Sequence, residues 1–194
     1  DQASGFAKQL IKFNENRKLI ESDMVLSAIE ELNDQSFKIS HSIVLTNDKW
    51  HQGVVGILAS RLKEKYFRPT IIFASFNDEM IKGSGRSIDS FHLRDALDLI
   101  SKRHPSLIKT FGGHAMAAGL SIKKNDFKKF SEIFELTCQE FITPDLLNQT
   151  VEYDKSIEPE NLNYSMAKMI NEQVWGQGFP APFFVDNFDV LHQE

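Results

Sequence analysis

Three short segments of this chain combine residue types that hold anions. The first, FGGHAMAAGL, runs from Phe111 to Leu120. A glycine doublet costs backbone entropy and is kept where unusual dihedrals or a close approach are required. Gly112 and Gly113 can turn backbone N–H groups toward an anion as a nest. His114 can donate to a phosphate oxygen, or to charge developing on it. A tight structural turn is the plainer account of the same residues. The second segment, KGSGRS, runs from Lys82 to Ser87. Arg86 carries a planar fork that matches a phosphate, and Ser84 and Ser87 add hydroxyl donors. The glycines on both sides of Ser84 are expected to let a ligand reach the backbone. It is not a Walker loop, because the Gly-Lys-Ser/Thr ending is missing. A glycine-containing hairpin strand with an exposed arginine is the alternative. The third, WHQGVVGILASR, runs from Trp50 to Arg61 and joins a strand to a helix. Gly53 is expected to open that helix, leaving free N–H groups beside His51. Alternatively, His51 caps the helix and Trp50 packs beneath it. Arg61 reads as structural or partner-facing.

Other chemistries are poorly served. The histidines at 41, 51, 92, 104, 114 and 192 are scattered, and none forms a zinc-binding helical pair. No paired-carboxylate motif is present, so the chain has anion-binding parts without an evident engine for hydrolysis. No metal site is expected in these residues. The single cysteine, Cys138, excludes an internal disulfide and any multi-cysteine zinc site. A reducing, cytoplasmic location is expected. No apolar run reaches the roughly 20 residues of a membrane helix, and the start does not read as a signal peptide. It also lacks an initiator methionine, so a piece of a longer chain is expected.

Charge is unevenly spread. Residues 35–130 carry a net +8, against −3 for residues 1–34 and −10 for residues 131–194. A basic centre between acidic ends suggests an electropositive surface for an anionic partner, or a solvated lysine face.

The elements that must position these segments follow from periodicity. Residues 1–33 read as one long helix, with Phe6, Leu10, Phe13, Arg17, Ile20 and Met24 in a narrow stripe. HSIVLT (41–46), the helix at 53–67 and TIIFAS (70–75) form a strand–helix–strand unit whose two strands are expected to be parallel. A turn at 76–79 leads to a third strand at 80–87, and Leu93, Ala96, Leu97 and Ile100 mark another helix. FGGHAMAAGL is expected to be a loop that enters a strand at AAGLSI. Residues 125–142 read as an amphipathic helix with Phe127, Phe130, Phe134, Cys138 and Phe141 on one face and Asn125 as its cap. Cys138 is therefore expected in the core. A short strand at 151–157, a helix opening near Pro159 and a β-rich ending complete the chain.

Taken together, WHQGVVGILASRL, GSGRS and FGGHAMAAGL closely resemble the DHH phosphoesterase superfamily, and within it the single-stranded-DNA-specific 5′→3′ exonucleases. The centre resembles their DHHA1 domain, NENRKLIESDM resembles the end of a connecting helix, and WGQGFPAPFF resembles the start of an OB-type domain. The resemblance implies an α/β fold: a DHHA1-type domain with a mixed sheet flanked by helices. A long connecting helix would precede it and the start of an OB-like β domain would follow. It implies domains at 1–34 (end of the connecting helix), 35–148 (DHHA1, substrate binding) and 149–194 (partial OB-type).

It further implies that Gly112, Gly113 and His114 contact the phosphate near the scissile bond, with His114 meeting the transition state. Ser84 and Arg86 would hold the 5′-terminal phosphate, and His51 would line the same cleft. The cofactors implied are Mn²⁺ or Mg²⁺, bound by a DHH domain whose Asp-His-His motif is missing from this sequence. The chain alone is therefore expected to bind DNA weakly and to lack nuclease activity. Its implied partners are single-stranded DNA with a 5′ end, its own N-terminal DHH domain, a single-stranded-DNA-binding protein and a helicase, in DNA repair and recombination. Two alternatives stand beside this: another DHH-family phosphodiesterase acting on short RNA or cyclic dinucleotides, and a non-catalytic RNA-binding DHHA1 module.

Overall fold

The computed structural model describes residues 2–32, 40–149, 153–176, 179–187, 189–190 and 192. They divide into two compact units, 1–148 and 149–194. In the first unit, α1 (Gln2–Leu32) is followed by β1 (Ile43–Thr46), α2 (Val55–Tyr66), β2 (Thr70–Ser75), β3 (Met80–Arg86), α3 (Leu93–Arg103), β4 (Ile108–Gly113), β5 (Ala117–Lys123) and α4 (Phe127–Phe141). The strands form one sheet in the order β1-β2-β3-β5-β4. β1 and β2 are parallel, as a helical crossover demands, and the other neighbours are antiparallel. The sheet is mixed and flanked by helices.

Strand alternation divides the sheet into two unlike faces. Ile71 and Phe73 of β2, Ile81 of β3, and Ala118, Leu120 and Ile122 of β5 face one way. They pack with Leu93, Leu97 and Ile100 of α3 and with Phe130, Phe134 and Cys138 of α4. Phe73 meets Phe130 edge-on at 5.5 Å between centroids, a favourable arrangement for aromatic rings. Burial pushes the Cys138 thiol well above its ordinary range, with Glu135 adding to it. Cys138 is a core residue.

On the opposite face α1 and α2 cover β1 and β2, and the start of α2 reaches β3. There Ile43, Ile72 and Ala74 pack with Val55, Leu58, Ala59 and Leu62 of α2, and with Met24, Ala28 and Leu32 of α1. Glu21 of α1 accepts from Arg61 Nε at 3.0 Å and from Arg17 Nη1 at 2.7 Å. This explains the arginine that interrupts the apolar stripe, and it makes Arg61 a structural residue. The stripe is only partly used: Phe6, Leu10 and Phe13 are exposed, while Met24 is buried.

Several local expectations are corrected. α2 begins at Val55 rather than Gly53, because the N–H of Val54 is taken by the His51 carbonyl. A 3₁₀ turn, Lys124–Asp126, precedes α4, so Asn125 lies within that turn and Asp126 stands at the cap position without a side-chain bond. Phe141 is exposed. In the second unit, Pro159 starts a 3₁₀ turn, and α5 (Tyr164–Asn171) begins later, capped by the Asn163 side chain accepting from the Met166 N–H. Part of the expected strand at 151–157 lies outside the described residues. Within it Lys155 forms an isolated bridge with Phe184, and a second bridge joins Gly176 to Phe179.

Candidate nucleic-acid interface

The start of α2 reaches Ser84 and Arg86 of β3, and beyond it this face of the sheet continues over β5 and β4. Register places Ser84 beside Gly119, and Gly119 beside Gly112. One step along, Arg86 pairs with Ala117, and in the other direction Lys82 pairs with Ser121. The floor is therefore a surface of small residues with Lys82, Ser84 and Arg86 in a single row along β3. Sequence reasoning missed Lys82 as part of this row, although strict alternation from Ser84 and Arg86 would have found it.

Arg86 and Ser84 meet the start of α2. A Cβ added to Gly56 would lie 3.2 Å from both Arg86 Nη2 and Ser84 Oγ. Gly56, which the sequence reading did not single out, gives both side chains their room. Arg86 Nη1 donates to the Gly85 carbonyl at 2.8 Å, and among the described residues no carboxylate pairs with Arg86. A half-buried guanidinium without a counter-ion is suited to an anion from outside.

The glycines divide by role. Gly83 and Gly85, expected to admit a ligand, face the core instead. A Cβ at Gly83 would lie 2.6 Å from Phe73 Cε1, and one at Gly85 would lie 2.7 Å from Leu93 Cδ2. The expectation failed because their neighbours come from distant strands and helices. The doublet also splits. Phe111–Gly113 belongs to β4 rather than to a loop. Gly113 has φ 141°, and a Cβ there would sit 2.3 Å from the Ala117 carbonyl oxygen, so the hairpin itself requires glycine. Gly112 faces open space, with nothing within 4 Å of an added Cβ.

His114 follows in the β4–β5 turn, its N–H donating to the Ala117 carbonyl at 2.8 Å. Arg86 also pairs with Ala117, so His114 and Arg86 lie at one end of the floor. The His114 side chain is exposed and makes no hydrogen bond among the described residues. Ser87 is excluded from ligand contact: it is buried, and its hydroxyl donates to the Phe91 carbonyl at 2.6 Å.

His51 is placed differently. Its Nδ1 accepts from the Gly53 N–H at 3.1 Å, the local capping role, while Trp50 is buried in the core beneath. Gln52, next to it, donates to the Ser75 carbonyl. Ser75 pairs with Ile81, whereas Arg86 pairs with Thr70. His51 thus lies toward the Lys82 end, and among the described residues no hydrogen bond or ion pair joins it to Ser84 or Arg86.

The described residues contain no group of three His, Cys, Asp or Glu side chains that could hold a metal ion. They do not fit a Mn²⁺ or Mg²⁺ centre. No described helix is long and apolar enough to cross a membrane.

A family model described as the DHHA1 domain matches residues 37–140. The single-stranded-DNA-specific exonuclease RecJ of Escherichia coli is 40% identical over 196 residues, covering 99% of this chain and 34% of its own length. The crystal structure of RecJ with Mg²⁺ from Thermus thermophilus superposes with a TM-score of 0.72 at 27% identity, covering 91% of this chain and 26% of that one. The corresponding structure with Mn²⁺ gives a TM-score of 0.74 at 26% identity, covering 91% of this chain and 25% of that one. The chain spans about a third of the length of the E. coli relative.

Proposed function

The chain belongs to the DHHA1 domain family, and from that premise we propose that its open β3–β5–β4 floor grips the sugar-phosphate backbone of single-stranded DNA near a 5′ end. The observation that carries this reading is the Arg86–Ser84–Gly56 arrangement: a cation and a hydroxyl, seated side by side, with no carboxylate pairing with Arg86 among the described residues. Arg86 and Ser84 hold the 5′-terminal phosphate. Gly112 lets the backbone of the ligand approach, Gly113 shapes the turn beside it, and His114 donates to the phosphate near the scissile bond. His51 lines the other end of the same cleft.

In this reading the chain is the substrate-clamping part of a 5′→3′ exonuclease of DNA repair and recombination, working in the cytoplasm. Hydrolysis needs Mn²⁺ or Mg²⁺, held by a DHH domain, and these residues alone do not hydrolyse DNA. Residues 149–194 are the opening of an OB-type domain. A single-stranded-DNA-binding protein and a helicase supply the substrate. The likeness over 99% of the chain to RecJ, a single-stranded-DNA-specific exonuclease, supports the exonuclease part of this reading.

The test is competition binding. The chain should prefer 5′-phosphorylated single-stranded DNA over the same oligonucleotide with a 5′-hydroxyl, and over folded tRNA. Preference for tRNA would favour a non-catalytic RNA-binding role instead. Release of nucleotides by the chain alone in Mn²⁺ would overturn its proposed inactivity.

A further inference from the structure

Ser84 and Arg86, which share the room left by Gly56, lie toward one end of the open floor. Toward the other end lies a shallow concavity of about 440 Å³, lined by Lys82, Thr110, Gly112, Gly119 and Ser121. Lys82, Ser121 and Thr110 form a cross-strand row. Thr110 Oγ1 and Ser121 Oγ are 2.6 Å apart. Two hydroxyls carry two protons, and their mutual bond uses one. The other remains for an acceptor in the hollow.

Lys82 supplies the charge. Its Nζ rests 3.5 Å from the centroid of the Phe76 ring, a contact that steadies the ammonium without neutralising it. Among the described residues no carboxylate pairs with Lys82. Asp48, an acidic group near this end, is held by Lys124 at 2.6 Å and by the Ser75 hydroxyl. Gly119 would place a Cβ no closer than 3.9 Å to any neighbour, so packing does not explain why the hollow is left unfilled.

We propose that this hollow is a second subsite, which takes an internal phosphate and its sugar from the same single strand. Lys82 is its cation and the Thr110–Ser121 pair its hydroxyl donor. The proposal rests on the reading that the Arg86 end takes the 5′-terminal phosphate. A strand rise of about 3.3 Å per residue puts Lys82 about 13 Å from Arg86, roughly two nucleotides of an extended chain. The DNA therefore lies along β3, its 5′ end at Arg86 and its interior passing over Lys82.

The experiment titrates the chain with oligothymidylate octamers bearing a 5′-phosphate or a 5′-hydroxyl, over a range of salt, and with thymidine 5′-monophosphate. Lys82→Ala should weaken octamer binding about fivefold whichever 5′ end is present. It should also lower the salt slope by about 0.7, one phosphate contact on a single strand. Lys82→Arg should restore both, and the mononucleotide should bind as before. If Lys82→Ala leaves octamer affinity and slope unchanged while Arg86→Ala still selectively weakens the 5′-phosphorylated octamer, the second subsite is wrong and the terminal-phosphate reading survives. If the unsubstituted chain fails to bind either octamer, both fall together.

Discussion

Gly56 of α2 leaves the space that Arg86 of β3 occupies, since a Cβ on Gly56 would lie 3.2 Å from the guanidinium Nη2. That atom is the far end of a flexible side chain, and Ser84 Oγ stands at the same distance, so Gly56→Ala should push both aside by a few tenths of an ångström without breaking the fold. Alanine near a helix start should leave stability level or raise it by about 0.5 kcal/mol. Binding of 5′-phosphorylated DNA should fall toward that of Arg86→Ala, which is expected to lose about 1.5–3 kcal/mol, the scale of a charge-assisted hydrogen bond. Thermal unfolding paired with binding checks this. Equal losses on 5′-hydroxyl and 5′-phosphate strands would argue against the terminal-phosphate role.

The glycine doublet should separate under substitution. Gly113→Ala forces a side chain into φ 141° and against the Ala117 carbonyl, and should cost about 3 kcal/mol. Gly112→Ala meets nothing within 4 Å and should leave unfolding within about 0.5 kcal/mol of the unsubstituted chain. DNA affinity should drop nonetheless. A Gly112→Ala chain that binds normally would show that the floor at this point is not approached.

His114 is exposed, and its side chain makes no hydrogen bond among the described residues, so truncation removes little that holds the fold. In the whole protein, His114→Ala should lower kcat more than it raises KM, the signature of a contact made chiefly in the transition state. An unchanged turnover number would remove His114 from the proposed site.

Glu135 should govern acid stability. Burial pushes its carboxyl up, but the His41 N–H and the Ser42, Gln139 and Ser40 side chains outweigh this and hold it below its ordinary range. A depressed folded pKa stabilises above the unfolded value, and that contribution is lost as pH falls through the folded one. Near neutral pH, Glu135→Gln should cost about 2 kcal/mol, and the gap should shrink below the ordinary carboxylate range. Denaturant unfolding at several pH values measures it. A gap that persists undiminished at about pH 3 would rule out Glu135 as the titrating group.

Much of the frame was legible from periodicity. The apolar run Thr70–Ser75 reads as a buried central strand, and the helix before it dictates a parallel β1–β2 pair. Face assignment on β3 was less accessible. Whether Gly83 serves a ligand or the core depends on Phe73, ten residues away, and Gly85 depends on Leu93. The doublet looked uniform because a string of letters carries no dihedral angle, yet Gly113 alone is required by the hairpin. In α1, Phe6, Leu10 and Phe13 repeat correctly for a helix, but periodicity cannot say which part of an apolar stripe finds a partner. Gly56 was invisible because its importance lies in what a neighbouring strand places beside it.

The alternation along β3 has a practical result. Ile81, Gly83 and Gly85 answer to the sealed core, while Lys82, Ser84 and Arg86 answer to the open floor. Neighbouring positions in sequence thus meet different surroundings. Among the described residues, the one side-chain hydrogen bond between the two sets is that from Arg86 Nη1 to the Gly85 carbonyl at 2.8 Å. Substitutions at the even-numbered residues should therefore disturb the core less than those at Ile81, Gly83 and Gly85.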